Sequence, residues 1–168
     1  MPHQNNKSKA ELWMNYIQYH PTFKAKACPE SWYFCDNEKD ADQCAQWVVE
    51  GVKQATSTSM WWFETYDQTL PKTGDLSIIT NWSGKAKAII QTRVVEIIPF
   101  QEITKRHAEI EGEGDKSLEY WKTVHWDYYT REMRVKKERP TKDMRIVCEQ
   151  FKTIWTENSI NNAINKGK

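Results

Sequence analysis

Residues 86–98, Ala-Lys-Ala-Ile-Ile-Gln-Thr-Arg-Val-Val-Glu-Ile-Ile, constrain the fold most. β-Branched residues crowd the run and favour an extended chain. It is too long for one flat strand, so a bend or bulge is expected within it. Pro99 ends it, because proline cannot donate to a strand ladder. Upstream, Asn81-Trp82-Ser83-Gly84 reads as a hairpin turn and Leu76–Thr80 as the strand before it. Leu70-Pro71-Lys72-Thr73-Gly74-Asp75 is a second turn signal. Ser57–Thr65, rich in Thr and aromatic residues, also reads as β. Met144–Trp155 alternates again, with Met144, Ile146 and Cys148 on one side.

Helical patterns flank these runs. Ser8-Lys9-Ala10-Glu11 has the form of a capping box, and Leu12, Trp13, Tyr16, Ile17 and Tyr19 follow at helical spacing until Pro21. Residues 21–39 read as a packed loop. Asp40 or Asp42 is a candidate cap for a second helix, whose apolar side is Ala41, Cys44, Ala45 and Val48 with Val49 at its margin, and Gly51 stands at its C′ position. Ile103 and His107 mark a short helix after Phe100. Leu118, Trp121, Val124, His125, Tyr128 and Tyr129 trace one face of another. The order of elements predicts an α+β fold, its mostly antiparallel sheet closed into a β-barrel flanked by helices. One domain is expected, with a core over about residues 8–156 and a polar, frayed tail over 157–168.

Charge narrows the functions. The 168 residues carry 24 Lys and Arg against 23 Asp and Glu, a net charge of +1. Proteins that wrap duplex DNA usually have a basic excess, because phosphate neutralisation dominates their affinity. A small ligand, or a short single strand of RNA, fits better. The nine Trp and seven Tyr supply core rings and, where exposed, surfaces on which bases stack. Cys28, Cys35, Cys44 and Cys148 show no C-x-x-C spacing of a zinc or redox site; no metal and no cofactor are expected. The longest apolar run, Met60-Trp61-Trp62-Phe63, is too short to span a bilayer. Free thiols and a cytoplasmic location are the corresponding expectation; oligomeric state is not legible.

Three segments could carry chemistry. The first is Gly51-Val52-Lys53-Gln54-Ala55-Thr56, followed by Ser57, Thr58 and Ser59. It sets a cation and several hydroxyls just past a helix end. Lysine activates a hydroxyl only when burial or a neighbouring cation lowers its pKa. Residues three apart in a strand face opposite ways, so Lys53 and Thr56 can cooperate only if the chain bends between them. The plainer alternative is a helix C-cap leading into an edge strand. The second segment runs from His107 to Asp115 and spaces Glu109, Glu111, Glu113 and Asp115 at alternate positions. Carboxylates this close raise one another's pKa, which suits a general acid or base; a calcium loop is disfavoured because the twelve-residue pattern with its final Glu is not completed, and a solvated acidic loop before a helix at Ser117 is the plainer alternative. The third is the basic cluster Arg131, Arg134, Lys136, Lys137 and Arg139, either a phosphate contact or a solvated face.

Taken in order, these segments resemble the ASCH family of PUA-like proteins. Gly51, Lys53 and Thr56 match its G-x-K-x-x motif after a helix. A bacterial branch of the family is similar over roughly residues 10–155. The shared segments are the Trp-rich Met60–Phe63, the turn Leu70–Asp75, Glu111-Gly112-Glu113-Gly114-Asp115-x-Ser117-Leu118-x-x-Trp121, then His125 and the strand Glu149–Phe151. A smaller ASCH relative removes the acetyl group from the exocyclic amine of acetylated cytidine, and Lys105–Glu111 resembles its K-H-A-E-x-E motif with Arg106 inserted. The resemblance implies Thr56 as nucleophile, Lys53 as its activator and Glu111 as proton shuttle. Gly51, Ser57, Ser59, Trp61, His107, Glu113 and Asp115 would then line the substrate. It implies a nucleoside, nucleotide or single-stranded RNA as partner. A ribonuclease or a non-catalytic RNA-binding module is the alternative.

Overall fold

The computed structural model describes residues 2–159, with side chains from Lys7 onward. The frayed tail expected at the C-terminus lies mostly outside the described residues. The elements are α1 (Pro2–Tyr19), β1 (Ser31–Trp32), α2 (Glu38–Val49), β2 (Ala55–Ser59), α3 (Met60–Thr65), β3 (Leu76–Thr80), β4 (Ala86–Pro99), α4 (Lys105–Glu111), α5 (Leu118–Arg134) and β5 (Arg145–Thr156). Among the described residues no helix is long and apolar enough to cross a membrane. The chain forms two compact units. The five strands bond in the order β1-β3-β4-β5-β2, and β4 and β5 contribute to both units.

The first unit comprises the chain up to Gly51, Leu76–Gln91 and the chain from Lys152 on. Strands β3 and β4 pair antiparallel from Leu76↔Gln91 to Thr80↔Ala86, and β1 joins β3 in parallel. The turn over Asn81–Gly84 closes as expected, with the Gly84 N–H donating to the Asn81 carbonyl at 2.9 Å. A register shift between Ile79 and Thr80 supplies the expected irregularity. Leu12, Trp13 and Tyr16 of α1 pack on Ile78, Ala86, Ile89 and Trp155. α1 begins upstream of the expected capping box. The Ser8 hydroxyl instead accepts the Ala86 N–H at 3.1 Å, serving a strand and not a helix end. α2 buries Ala41, Cys44, Ala45 and Val48, as its pattern requires, but its cap is Asn37 and not Asp40 or Asp42. Asn37 Oδ1 accepts the Asp40 N–H at 3.0 Å. Gly51 follows at φ +73, the left-handed turn that ends many helices.

The second unit holds Val52–Asp75 and Thr92–Phe151. β2 pairs antiparallel with β5, Ser57 opposite Cys148 and Thr56 opposite Glu149. α5 lays Trp121 and Tyr129 into a core with Phe100, Ile103, Ala108, Ile146 and Cys148. Val124, expected on that face, is exposed; the buried residues Trp121, His125, Tyr129 and Met133 follow a single row at spacing four.

The sheet is not closed into a barrel; its edge strands are β1 and β2. The expected strand Ser57–Thr65 stops at Ser59, whose hydroxyl accepts the Trp62 N–H at 3.1 Å and starts α3. An N-cap of this kind satisfies an orphan helix donor and outweighs the aromatic β preference of the residues that follow. This shortens one edge strand, and the other has two residues, too few to close a barrel.

Candidate active site

The site grows from one backbone approach. α4 ends at Glu111, and Gly112 continues at φ +75. A Cβ at Gly112 would overlap the Val52 carbonyl oxygen, so only glycine fits. The Gln54 N–H donates to the Ile110 carbonyl at 3.1 Å and fixes the end of α4 against the segment entering β2. Glu111 is thereby brought beside Lys53. At the start of α4 His107 completes a capping box, its Nδ1 accepting the Thr104 N–H at 3.2 Å. It serves the helix and not the cluster around Glu111.

Glu111 is 2% exposed and accepts from four donors. Lys53 Nζ lies 3.4 Å and His125 Nε2 3.2 Å from Oε1; Ser57 Oγ lies 2.7 Å and Trp121 Nε1 2.5 Å from Oε2. Lys53, 1% exposed, also pairs with Glu113 Oε1 at 2.5 Å. His125 stacks on Trp121 with centroids 4.0 Å apart, and its Nδ1 lies 2.9 Å from the Trp121 carbonyl. Both ring nitrogens face acceptors, the Trp121 carbonyl and the ionised Glu111 carboxylate, an arrangement that favours the protonated ring. The Tyr129 hydroxyl donates to the Ser57 carbonyl at 2.8 Å and holds β2 at that point.

Burial alone would push the Glu111 carboxyl up. The charges of His125 and Lys53, with the hydrogen bonds from His125 and Trp121, outweigh it and hold the group well below the usual carboxylate range. Burial likewise lowers His125, but the charge and hydrogen bond of Glu111 and the charge of Glu113 leave it raised. Two cations and two anions thus balance in a nearly dry volume, a costly arrangement that perturbed functional sites commonly show. Glu111, Glu113 and His125 offer three atoms within 4.8 Å of one another, close enough for a metal ion. The Lys53 ammonium already lies against both carboxylates, and a protonated imidazole has no lone pair to give. A divalent ion here would have to displace the Lys53 ammonium from the carboxylates and the proton from His125.

Burial alternates from Lys53 through Ala55 and Ser57 to Ser59, so the chain makes no bend after Lys53. Lys53 and Glu111 meet as expected. Thr56 does not join them. It lies on the opposite face of β2, across from Glu149, whose carboxyl burial pushes up and which accepts from Thr92 Oγ1 at 2.6 Å. Ser57 provides the hydroxyl on the Glu111 side instead. Ser59, 0% exposed, donates to Glu132 Oε2 at 2.7 Å, and Trp61 Nε1 donates to Glu138 Oε2 at 2.8 Å. Asp115 is exposed and accepts the Ser117 N–H at 2.8 Å, a turn contact before α5. Gly51 serves the end of α2. Sequence reasoning placed His125 and Trp121 on an apolar helix face and missed their polar work. The available signal was a histidine one turn past a tryptophan in a chain with an acidic loop just upstream.

No curated protein matches the chain. A crystal structure of an ASCH domain from Lactobacillus crispatus is similar at 28% identity and a TM-score of 0.83, over 89% of this chain and 95% of that one. A crystal structure of a protein from Enterococcus faecalis is similar at 27% identity and a TM-score of 0.83, over 93% of each. The α+β architecture is that of these structures. The family model described as ASCH domain matches residues 30–155, three-quarters of the sequence and the whole of the polar cluster. The chain belongs to the ASCH domain family.

Proposed function

We propose that the chain hydrolyses an acylated amine on a nucleoside-sized ligand such as acetylated cytidine, through Ser57, Glu111 and Lys53. One observation carries this reading: a hydroxyl, a carboxylate and an ammonium meet, with Ser57 Oγ 2.7 Å and Lys53 Nζ 3.4 Å from the two oxygens of Glu111. In the resting site Glu111 is a weak base, because its cations stabilise the charged form. An amide carbonyl approaching Lys53 draws the ammonium toward the substrate oxygen. The Glu111 carboxyl then rises toward the range in which it accepts the Ser57 proton. Ser57 Oγ attacks the acyl carbon, Lys53 stabilises the oxyanion, and Glu111 returns the proton to the departing amine. Water then cleaves the acyl ester by the same route. The net reaction converts amide and water into carboxylic acid and amine. Lys53 works here as a positive charge, unlike the activator of lowered pKa that the family resemblance implies. Incubation of acetylated cytidine with purified protein should release acetate. Ser57→Ala and Lys53→Ala should each abolish release, and Thr56→Ala should keep most of it. Absence of release by the wild type, from acetylated cytidine and other acylated nucleosides, would refute the catalytic reading.

A second reading has its own support. Four donors saturate Glu111, which suits a fixed charge pattern for binding. Arg131, Arg134, Lys136, Lys137 and Arg139 are exposed, and the partly exposed Trp61 donates to Glu138 within the same segment. A nucleotide or single-stranded RNA would find stacking and charge there. On this reading no acylated nucleoside turns over, and Lys53→Ala or Trp61→Ala weakens binding of a short single strand.

A further inference from the structure

Two cysteines approach each other away from the polar cluster. Cys35 Sγ and Cys44 Sγ lie 3.8 Å apart, van der Waals contact for two thiols. Cys44 is 2% exposed, on the buried face of α2. Cys35 is half-buried in the turn that leads into that helix. The turn is fixed on both sides. Phe34 before it is buried and packs edge-on against Trp32, with centroids 4.8 Å apart. Asn37 after it caps α2. Cys35 itself stands at φ +64, a left-handed conformation that residues with a Cβ seldom adopt. Such a conformation persists only where the surroundings over-determine it. The backbone therefore presents Cys35 to Cys44. The remaining thiols differ: burial pushes Cys148 up to about 12, and Cys28 is exposed.

We propose that Cys35 and Cys44 are a reversible dithiol–disulfide site whose oxidant is a hydroperoxide. Cys35, the more accessible of the two, attacks as its thiolate. An S–O bond forms, the O–O bond breaks, and the departing hydroxide takes up the thiol proton as water. The Cys44 sulfur then attacks the Cys35 sulfenic acid. An S–S bond forms, the S–O bond breaks, and the hydroxyl leaves with the Cys44 proton as a second water. Two thiols and one hydrogen peroxide give one disulfide and two waters, with two electrons passing from sulfur to oxygen. The sulfurs must close from 3.8 Å to a bond length of about 2.05 Å. The bridge would close a short loop around the Asn37 cap and the first turns of α2. It should stabilise the oxidised form by restricting the unfolded chain.

The test exposes the full chain to hydrogen peroxide, quenches it, and follows thiol count, intact mass and peptide maps. The expected product has lost two thiols and two hydrogens, carries a peptide pair linked through Cys35 and Cys44, and reverts with dithiothreitol. Its melting temperature should rise by roughly 5 °C or more. Cys35→Ser should abolish the bridge, and Cys28→Ser should leave it intact. Cys44 is buried and its substitution can disturb the fold, so the wild-type map and Cys35→Ser decide the matter. Four thiols surviving peroxide, oxidation of Cys35 to sulfinic acid without a bridge, or a bridge formed through Cys28 would each overturn the proposal.

Discussion

Glu111→Gln keeps the shape of the site and removes one charge, and its cost follows from the contacts. Removing one partner of a buried ion pair costs about 3–5 kcal/mol. Lys53 retains Glu113, which places this loss near the lower figure. Hydrogen bonding adds to it. The amide that replaces the carboxylate must point its NH2 either at Lys53 and His125 or at Ser57 and Trp121. Ser57 can reverse its hydroxyl and His125 can lose a proton, but the Lys53 ammonium and the Trp121 indole can only donate. Either orientation therefore leaves one donor opposed, and a buried donor left without an acceptor costs about 1–3 kcal/mol. The combined loss should be about 4 kcal/mol. For a domain of this size that lowers the melting temperature by about 10 °C. Urea and thermal unfolding at neutral pH, wild type beside variant, measure it. A loss below about 1 kcal/mol, the scale of a surface pair, would show that the network is not buried as described.

Further outcomes are expected. The raised pKa of His125 contributes stability that is complete below its usual value of 6.5 and is lost as pH rises through the folded-state value; His125→Phe should remove that alkaline slope in urea unfolding, and an unchanged slope would assign it elsewhere. Glu111 has the opposite sign, so its contribution is complete above the usual 4.5 and falls away on acidification, which Glu111→Gln should flatten in the same titration. Gly112→Ala should cost at least about 2 kcal/mol, from the left-handed backbone and the overlap with the Val52 carbonyl, and a neutral result in thermal melts would refute that close approach. Duplex DNA should bind weakly and dissociate at physiological salt, given the net charge of +1, and tight salt-resistant binding in fluorescence anisotropy would contradict this.

The sequence was readable where local signals agreed. Leu76–Thr80 and the turn at Asn81–Gly84 coincide with the structure because strand preference and turn residues agree there. The buried side of α2 and the role of Gly51 follow from spacing and from the freedom of glycine. Prediction failed where a side chain had two possible partners. Ser8 looks like a helix cap and bonds a strand; Ser59 looks like strand and caps a helix. Lys53 and Glu111 were legible as a pair only through the family motif, since they are far apart in the chain. The choice between Thr56 and Ser57 depends on which face of β2 turns toward α4, and hydroxyls at neighbouring positions carry no mark of that. His125 was hidden by its setting, an apolar helix face on which a histidine reads as packing.

The balanced charge of the polar cluster bears on how a ligand arrives. Lys53 and His125 offset Glu111 and Glu113 over a few ångström, so their field falls off faster than that of a net charge. Beyond about one Debye length it offers no pull on an anion or a cation. Encounter with this cluster should then proceed at the ordinary unsteered rate, about 10⁵–10⁶ M⁻¹s⁻¹, and change little with ionic strength. Discrimination begins only after contact, when a carbonyl or an amine competes for hydrogen bonds that the four side chains already share. If the proposed site binds as argued, this cluster selects by how long a ligand stays and not by how fast it comes.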